Sequence, residues 1–196
     1  ISPRMSTSYA LTEDQRLKWN SSVGTYFKIP TYTVLGYKDF SENFINQNSK
    51  YTKSNHFVTG FDYALGNASR ISIEGFMKKY ENFPISIVDG VSLANKGADF
   101  EVLGNENVIT NGKGKTQGIE LLFQQKLTRN FYGIFSYTFF KSEFTDINGN
   151  YLPSVWDSKH LSSFSGGYKL KKNWEISSRW RFAGKTPYVP YDLSLI

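Results

Sequence analysis

Residues 173–184 read "NWEISSRWRFAG". The even positions hold Trp174, Ile176, Ser178, Trp180 and Phe182; the odd ones hold Glu175, Ser177, Arg179 and Arg181. A period of two sends these sets to opposite faces of an extended strand, whereas a helix would scatter the charges all round. The same alternation recurs along the chain. Leu17, Trp19, Val23 and Phe27 oppose Arg16, Lys18, Asn20 and Ser22; Ile71, Ile73 and Met77 oppose Arg70, Ser72 and Glu74. Ile119, Leu121, Phe123 and Leu127 oppose Glu120, Gln124 and Lys126.

This pattern predicts eight strands, over about 2–11, 15–28, 52–65, 69–80, 115–127, 130–142, 158–170 and 173–184. Four of the connections are short polar turns, at 12–14, 66–68, 128–130 and 171–173. The alternate connections, 29–51, 81–114, 143–157 and a fourth from Lys185, are long. Short turns at one end and long loops at the other describe an up-and-down antiparallel sheet, and this asymmetry is systematic in outer-membrane barrels. Strands of ten to fourteen residues exceed the usual soluble length of about five or six, and meet the roughly 9–11 needed to cross a bilayer. A soluble sandwich also alternates, but would bury its aromatic face against a second sheet. The fold class expected is therefore all-β, an antiparallel up-and-down transmembrane β-barrel segment.

Composition narrows function. Phe, Trp and Tyr make up 17% of the chain, a β-forming bias. The net charge of +6 comes from 23 basic against 17 acidic residues. No run of five like charges occurs, so nucleic acid is not an expected partner. With no cysteine and two distant histidines, His56 and His160, no cofactor or metal centre is expected. "ISPRMSTS" at the start has no basic and apolar segments of a secretion signal.

Other motifs carry little chemistry. "GKGKT" (112–116) is similar to the end of a phosphate-binding loop, but Ile109 stands where its first glycine belongs, and the segment reads as a loop end leading into a strand. "SKHLSSFS" puts Ser158, His160 and Ser162 on one face without a nucleophile elbow, so His160, like His56, reads as a polar rim or lumen residue and no catalytic residue is assigned. "DINGN" (146–150) has alternate oxygen donors but no downstream glutamate, and reads as an Asn-Gly turn.

The run "GKTQGIELLFQQKLTRNFYGIFSYTFFKSEFTD" (114–146), with Gly118-Ile119-Glu120 opening a strand, resembles the C-terminal barrel half of TonB-dependent outer-membrane receptors. "WDSKH" (156–160), "YTFFKSEF" (137–144), "NWEISSRWRFAGKTPYVP" (173–190), "SPRMSTSYAL" (2–11) and "FMKKYENFP" (76–84) are similar to other strands of that half. The resemblance implies a 22-stranded barrel with an N-terminal plug in the cell outer membrane of a Gram-negative bacterium. It implies import of a scarce bulky nutrient, driven by an energy-transducing inner-membrane complex. With eight strands, no plug and an end at "YDLSLI", the chain is expected to be one section of such a barrel. A passive porin and a soluble β-sheet binding module are the alternatives.

On this reading Trp19, Phe123, Trp174, Trp180 and Phe182 face outer-membrane lipid. Glu120, Glu175, Arg179 and Arg181 face the lumen, where Arg179 and Arg181 meet a plug or a passing anion, or pair across strands with Glu120 or Glu74. Tyr37, Phe40, Phe44, Asp89, Asn95 and Asn105 belong to extracellular loops that grip the nutrient ligand, since aromatic rings stack on planar groups and amides hydrogen-bond them.

Overall fold

A chain that alternates apolar and polar residues over ten or more positions buries one face only by pairing each strand with two neighbours in register. The computed structural model, which describes residues 1–96 and 102–187, does this with one antiparallel sheet. In chain order the elements are β1 (Arg4–Ala10), β2 (Leu17–Lys28), α1 (Tyr32–Leu35), β3 (Thr52–Ala64), β4 (Ser69–Ser86), α2 (Leu93–Lys96), β5 (Val108–Thr128), β6 (Phe131–Thr145), β7 (Tyr151–Pro153), β8 (His160–Lys169) and β9 (Glu175–Ala183). The sheet runs β1-β2-β3-β4-β5-β6-β8-β9, and β7 pairs with β6 beyond the point where β8 leaves it. The fourth long connection lies mostly outside the described residues, as does 97–101 within the second.

Register unites the alternation of separate strands into two faces. One row crosses all eight long strands: Tyr9, Trp19, Phe61, Ile73, Leu121, Tyr137, Ser162 and Phe182 are successive partners. The adjacent row, on the opposite face, reads Ser8, Asn20, Gly60, Glu74, Glu120, Thr138, Leu161 and Ala183. Among the described residues no second sheet covers the apolar face. Phe61, Ile73, Trp180 and Phe182 stay about half exposed, which a soluble sandwich would not leave.

The four short turns form where expected. In the last, Lys172 and Asn173 both take φ of 62°, the left-handed pair that matches a hairpin's twist, and the Leu170 N–H donates to the Trp174 carbonyl at 2.7 Å.

The long loops are shorter than the sequence implied, because the strands continue. β4 extends to Ser86, β5 begins at Val108, and β6 runs on to Thr145. "GKGKT" therefore lies inside β5, extended and, from Gly114 to Thr116, paired on both sides, rather than at a loop end. The predicted ends followed the apolar face; past Met77 and Ile119 that face turns charged while the ladder persists. Two one-turn helices and β7 also sit in segments expected to be loop.

The buried apolar side chains gather at the long-loop end. Phe144, 1% exposed, packs against Phe83 at 4.5 Å between ring centroids, Tyr80 at 5.2 Å and Trp156 at 5.7 Å. Its ring lies on Gly114, where a Cβ would stand 2.4 Å from it, so the close approach requires glycine. Phe144→Ala in the intact protein should cost about 3–5 kcal/mol by leaving a cavity. Denaturant titration checks this, and an unchanged midpoint would remove Phe144 as the centre of the cluster.

Candidate functional site

Three long connections meet over the charged face. α1 and α2 each have too few residues to be stable alone, and are held by packing: Val34, Leu93 and Val108 form a buried cluster with Phe83 and Leu103. Asn46, 2% exposed, ties it together. Its Nδ2 donates to the carbonyls of Val34 (3.0 Å) and Glu106 (2.8 Å), and its Oδ1 accepts from the Val108 N–H at 3.2 Å. Lys96 bridges Asp89 and Glu106, the latter at 2.9 Å. Asn95 Nδ2 donates to the carbonyls of Leu152 and Pro153, joining the second connection to the third.

The segment 154–157 is fastened to one residue of β6. Ser142 donates its N–H to Asp157 Oδ1 (2.8 Å), accepts at its carbonyl from the Ser154 N–H (2.9 Å), and accepts at Oγ from the Trp156 indole N–H (3.1 Å). Ser142 needs these partners because β8 has left β6 at Phe139 and β7 joins only at Glu143. The Trp-Asp pair of "WDSKH" is thus a loop anchor.

Beneath these loops lies a cleft of about 610 Å³, lined by Tyr26, His56, Tyr80, Phe83, Leu93 and Trp156 among others. His56 reaches it from the charged face of β1–β4, where Arg4, Gly24, His56 and Lys78 are successive partners. The Tyr26 ring folds back over Gly24, with the Arg4 guanidinium 4.3 Å from its centroid and the His56 ring 4.4 Å away. His56 Nε2 and Ser54 Oγ share a hydrogen bond of 2.7 Å. Among the described residues neither Arg4 nor Lys78 forms a salt bridge. The arrangement offers aromatic walls to a flat apolar group and, beside the cleft, two cations that lie over the Tyr26 and Phe76 rings and outside any salt bridge among the described residues.

Of the residues singled out from sequence, Trp19, Phe123, Trp180 and Phe182 lie on the apolar face, and Trp174 closes the turn just before β9. Glu120, Glu175, Arg179 and Arg181 lie on the opposite face. The expected pairing of Arg179 and Arg181 with Glu120 or Glu74 is not made. Their strand partners are Ser165 and Ser163, with β6 and β8 between them and Glu120, whose direct partner is Glu74. Glu175 instead accepts a hydrogen bond from the Tyr132 hydroxyl.

Among the loop candidates Phe40 is fully exposed, Phe44 lies 5.0 Å from the Lys38 ammonium, Asn105 is exposed and Tyr37 is half-buried. Asp89 and Asn95 are engaged inside the loops themselves. His160 sits on the apolar face beside Phe139 and shares a 2.8 Å hydrogen bond with Tyr137, so it is a rim residue of that face rather than of the lumen. "DINGN" is a turn in which Asp146 accepts from the N–H groups of Asn148 and Asn150. Sequence reading missed the cleft's Tyr26, Tyr80, Phe83 and Trp156, which sit on three segments. Tyr26, Tyr80 and His56 share the charged parity, the one signal available.

A sheet with one apolar and one charged face, and its loops folded over the charged face, is the wall of a β-barrel with a covered mouth. The chain belongs to the TonB dependent receptor-like β-barrel family, whose model matches residues 1–194. A comparison with curated proteins gives no match. Among solved structures it is similar to Fiu, the ferric-catecholate import receptor of E. coli (TM-score 0.67, 15% identity, 92% of this chain and 24% of that one). It is similar to the outer-membrane ferripyoverdine receptor of Pseudomonas aeruginosa (0.64, 18%, 94% and 23%). It is also similar to the alcaligin outer-membrane receptor FauA of Bordetella pertussis (0.60, 16%, 94% and 29%). The chain spans about a quarter of the length of these receptors.

Lys96 makes the loop assembly pH-sensitive. Partial burial lowers its pKa, but hydrogen bonds and attraction from Asp89 and Glu106 outweigh this and raise it above the ordinary lysine value. A raised pKa means the clamp contributes fully below that ordinary value and is lost as pH climbs through the raised one. Protease cleavage within 87–107 should stay constant from about pH 7 to about pH 9 and increase only above about pH 10.5. An increase already by pH 9 would show that Lys96 does not hold the loop.

Proposed function

We propose that the chain is a section of the barrel wall of a TonB-dependent receptor that imports a bulky, scarce nutrient across the outer membrane of a Gram-negative bacterium. Siderophore, haem, vitamin and oligosaccharide are all bulky enough. The aromatic cleft, with Arg4 and Lys78 beside it on the charged face in the row of its His56, favours an anionic complex with aromatic groups, such as a ferric catecholate. This observation carries the reading. The solved neighbours named for ferric-catecholate and ferripyoverdine support it as relatives in fold.

In this proposal the apolar face, with Trp19, Phe123, Trp174, Trp180 and Phe182, meets lipid. Glu120, Glu175, Arg179 and Arg181 face a plug supplied by the remainder of the receptor. An energy-transducing inner-membrane complex acts on that remainder. Phe40, Phe44, Tyr37 and Asn105 meet ligand from the loops, while Asp89 and Asn95 hold the loops in shape.

Two experiments test it on the intact receptor. Arg4→Gln and Lys78→Gln should each weaken ferric-catecholate binding about tenfold or more, the scale of a lost charge-assisted hydrogen bond. Binding is read from tryptophan fluorescence, and uptake should stop when the inner-membrane complex is removed. Uptake at an undiminished rate without that complex would favour the passive-porin alternative. Secondly, Trp180→Arg should destabilise the receptor in lipid vesicles by about 1–4 kcal/mol, whereas Ser177→Arg, on the other face, should cost much less. Equal costs in a denaturant titration would defeat the assignment of faces.

A further inference from the structure

The short-turn end of the sheet is charged unevenly. From Leu121 to Phe140 and from Leu161 to Ala183, Glu175 is the single carboxylate, while Lys126, Arg129, Lys169, Lys171 and Lys172 gather at the β5–β6 and β8–β9 turns. All five cations are exposed, and none forms a salt bridge among the described residues. Glu175 is engaged by the Tyr132 hydroxyl. The other two turns at this end differ. In the first, Asp14 pairs with Arg16 at 3.3 Å, and residues 66–68 carry no charge.

The two basic turns form one surface. β6 and β8 are neighbours, and just beyond the pair Phe131 and Tyr168 the Lys169 N–H donates to the Asn130 carbonyl at 2.7 Å. Asn130 Nδ2 donates back to the Lys169 carbonyl. Gln125 stiffens the first turn, its Nε2 donating to the Lys126 carbonyl at 2.8 Å and to Thr128 Oγ1 at 2.9 Å. At the tips Arg129 takes a φ of 55° and Lys172 a φ of 62°. That left-handed region favours glycine or asparagine, so each tip holds a long cation where another residue would be less strained. Turn geometry does not require these side chains; charge is what they add.

Immediately inside the turns the apolar face is aromatic. Phe131, Tyr168 and Ile176 are successive partners there, with Leu170 and Trp174 closing the hairpin beside them, and all five are exposed. Rings at the edge of an apolar band, with ammonium and guanidinium groups one step further out, match the two ends of a phospholipid: acyl chain and phosphate. A soluble anion would use the cations and leave the rings bare. We propose that the β5–β6 and β8–β9 turns are a docking surface for anionic phospholipid headgroups of the periplasmic leaflet, holding lipid against β6, β8 and β9 and not against β1–β4. The proposal rests on the reading that the apolar face meets lipid, which the Trp180 and Ser177 variants test separately.

The test uses the intact receptor in non-ionic detergent, titrated with phosphatidylglycerol and with phosphatidylethanolamine of the same acyl chains, and read by native mass spectrometry. The anionic lipid should bind about tenfold more tightly or better. Arg129→Gly and Lys172→Gly should each lower its affinity about fivefold, and together with Lys169→Gln and Lys171→Gln about a hundredfold. Because glycine suits a positive φ, the two glycine variants should keep or raise the denaturation midpoint, which separates lost binding from lost folding. Lys171→Gln alone, which changes no backbone preference, should also lower affinity about fivefold. Lys50→Gln with Lys159→Gln, two exposed lysines outside the short-turn end, should leave binding unchanged. Three results would overturn the proposal: equal retention of the two lipids, undiminished binding by the quadruple variant, or the same loss from the Lys50 and Lys159 control. Displacement of the lipid by glycerol phosphate at equal concentration would assign the turns to a soluble anion, and displacement by an acidic peptide would assign them to a protein partner. Either would also sink it.

Discussion

Every backbone N–H and C=O within an apolar band has to find its partner on a neighbouring strand, because hydrocarbon supplies none. This constraint explains the regularity of the central sheet. Between the band's two ends the partners run without interruption across β1, β2, β3, β4, β5, β6, β8 and β9. The register shifts of β4 and β5 fall outside it, between Tyr80 and Pro84 on one side and between Gln125 and Thr128 on the other. Where water can satisfy a stray carbonyl the ladder may bulge, and there it does.

Beyond the band the same strands take up a second task. β5 is 21 residues long, roughly 70 Å of extended chain and about twice what a bilayer needs. The surplus raises a two-sided rim on which the loops are built. On one side Phe144, Phe83, Tyr80 and Trp156 pack over Gly114; on the other Lys79, Glu81, Lys113 and Lys115 border a surface cleft. Both sites exist because pairing outlasts the apolar band.

This division of labour also explains what the sequence discloses. Within the band, Trp174 to Phe182 alternate so cleanly that fold class and face follow from parity, and the short turns give the strand order. Past Met77 the outward positions become Lys79 and Glu81, the apolar mark of a strand disappears, and β4 appears to stop several residues early. The loop scaffold is harder still to read. Asn46 gains its meaning from carbonyls 12 and 60 residues away, and Asp157 from an N–H exposed only because β8 departs from β6. Local pattern carries no trace of contacts between segments so far apart. His56 and Tyr26 were legible as lumen parity but not as neighbours, since their contact depends on the β2–β3 register.

The charged face poses the complementary problem. Glu74 and Glu120 are direct partners in the middle of the sheet, and the Glu74 side chain lies across Gly60, where no Cβ could fit. The arginines that could balance them, Arg179 and Arg181, stand on β9 at the far edge. Like charges side by side cost stability unless something outside the sheet compensates, and opposite charges held strands apart gain little from each other through water. The strand order keeps β5 and β9 apart, with β6 and β8 between them. An object seated in the lumen would bridge them, with cations toward Glu74 and Glu120 and anions toward Arg179 and Arg181. This distribution of charge, which the sheet does not neutralise by itself, supports the proposal that Glu120, Arg179 and Arg181 meet a plug.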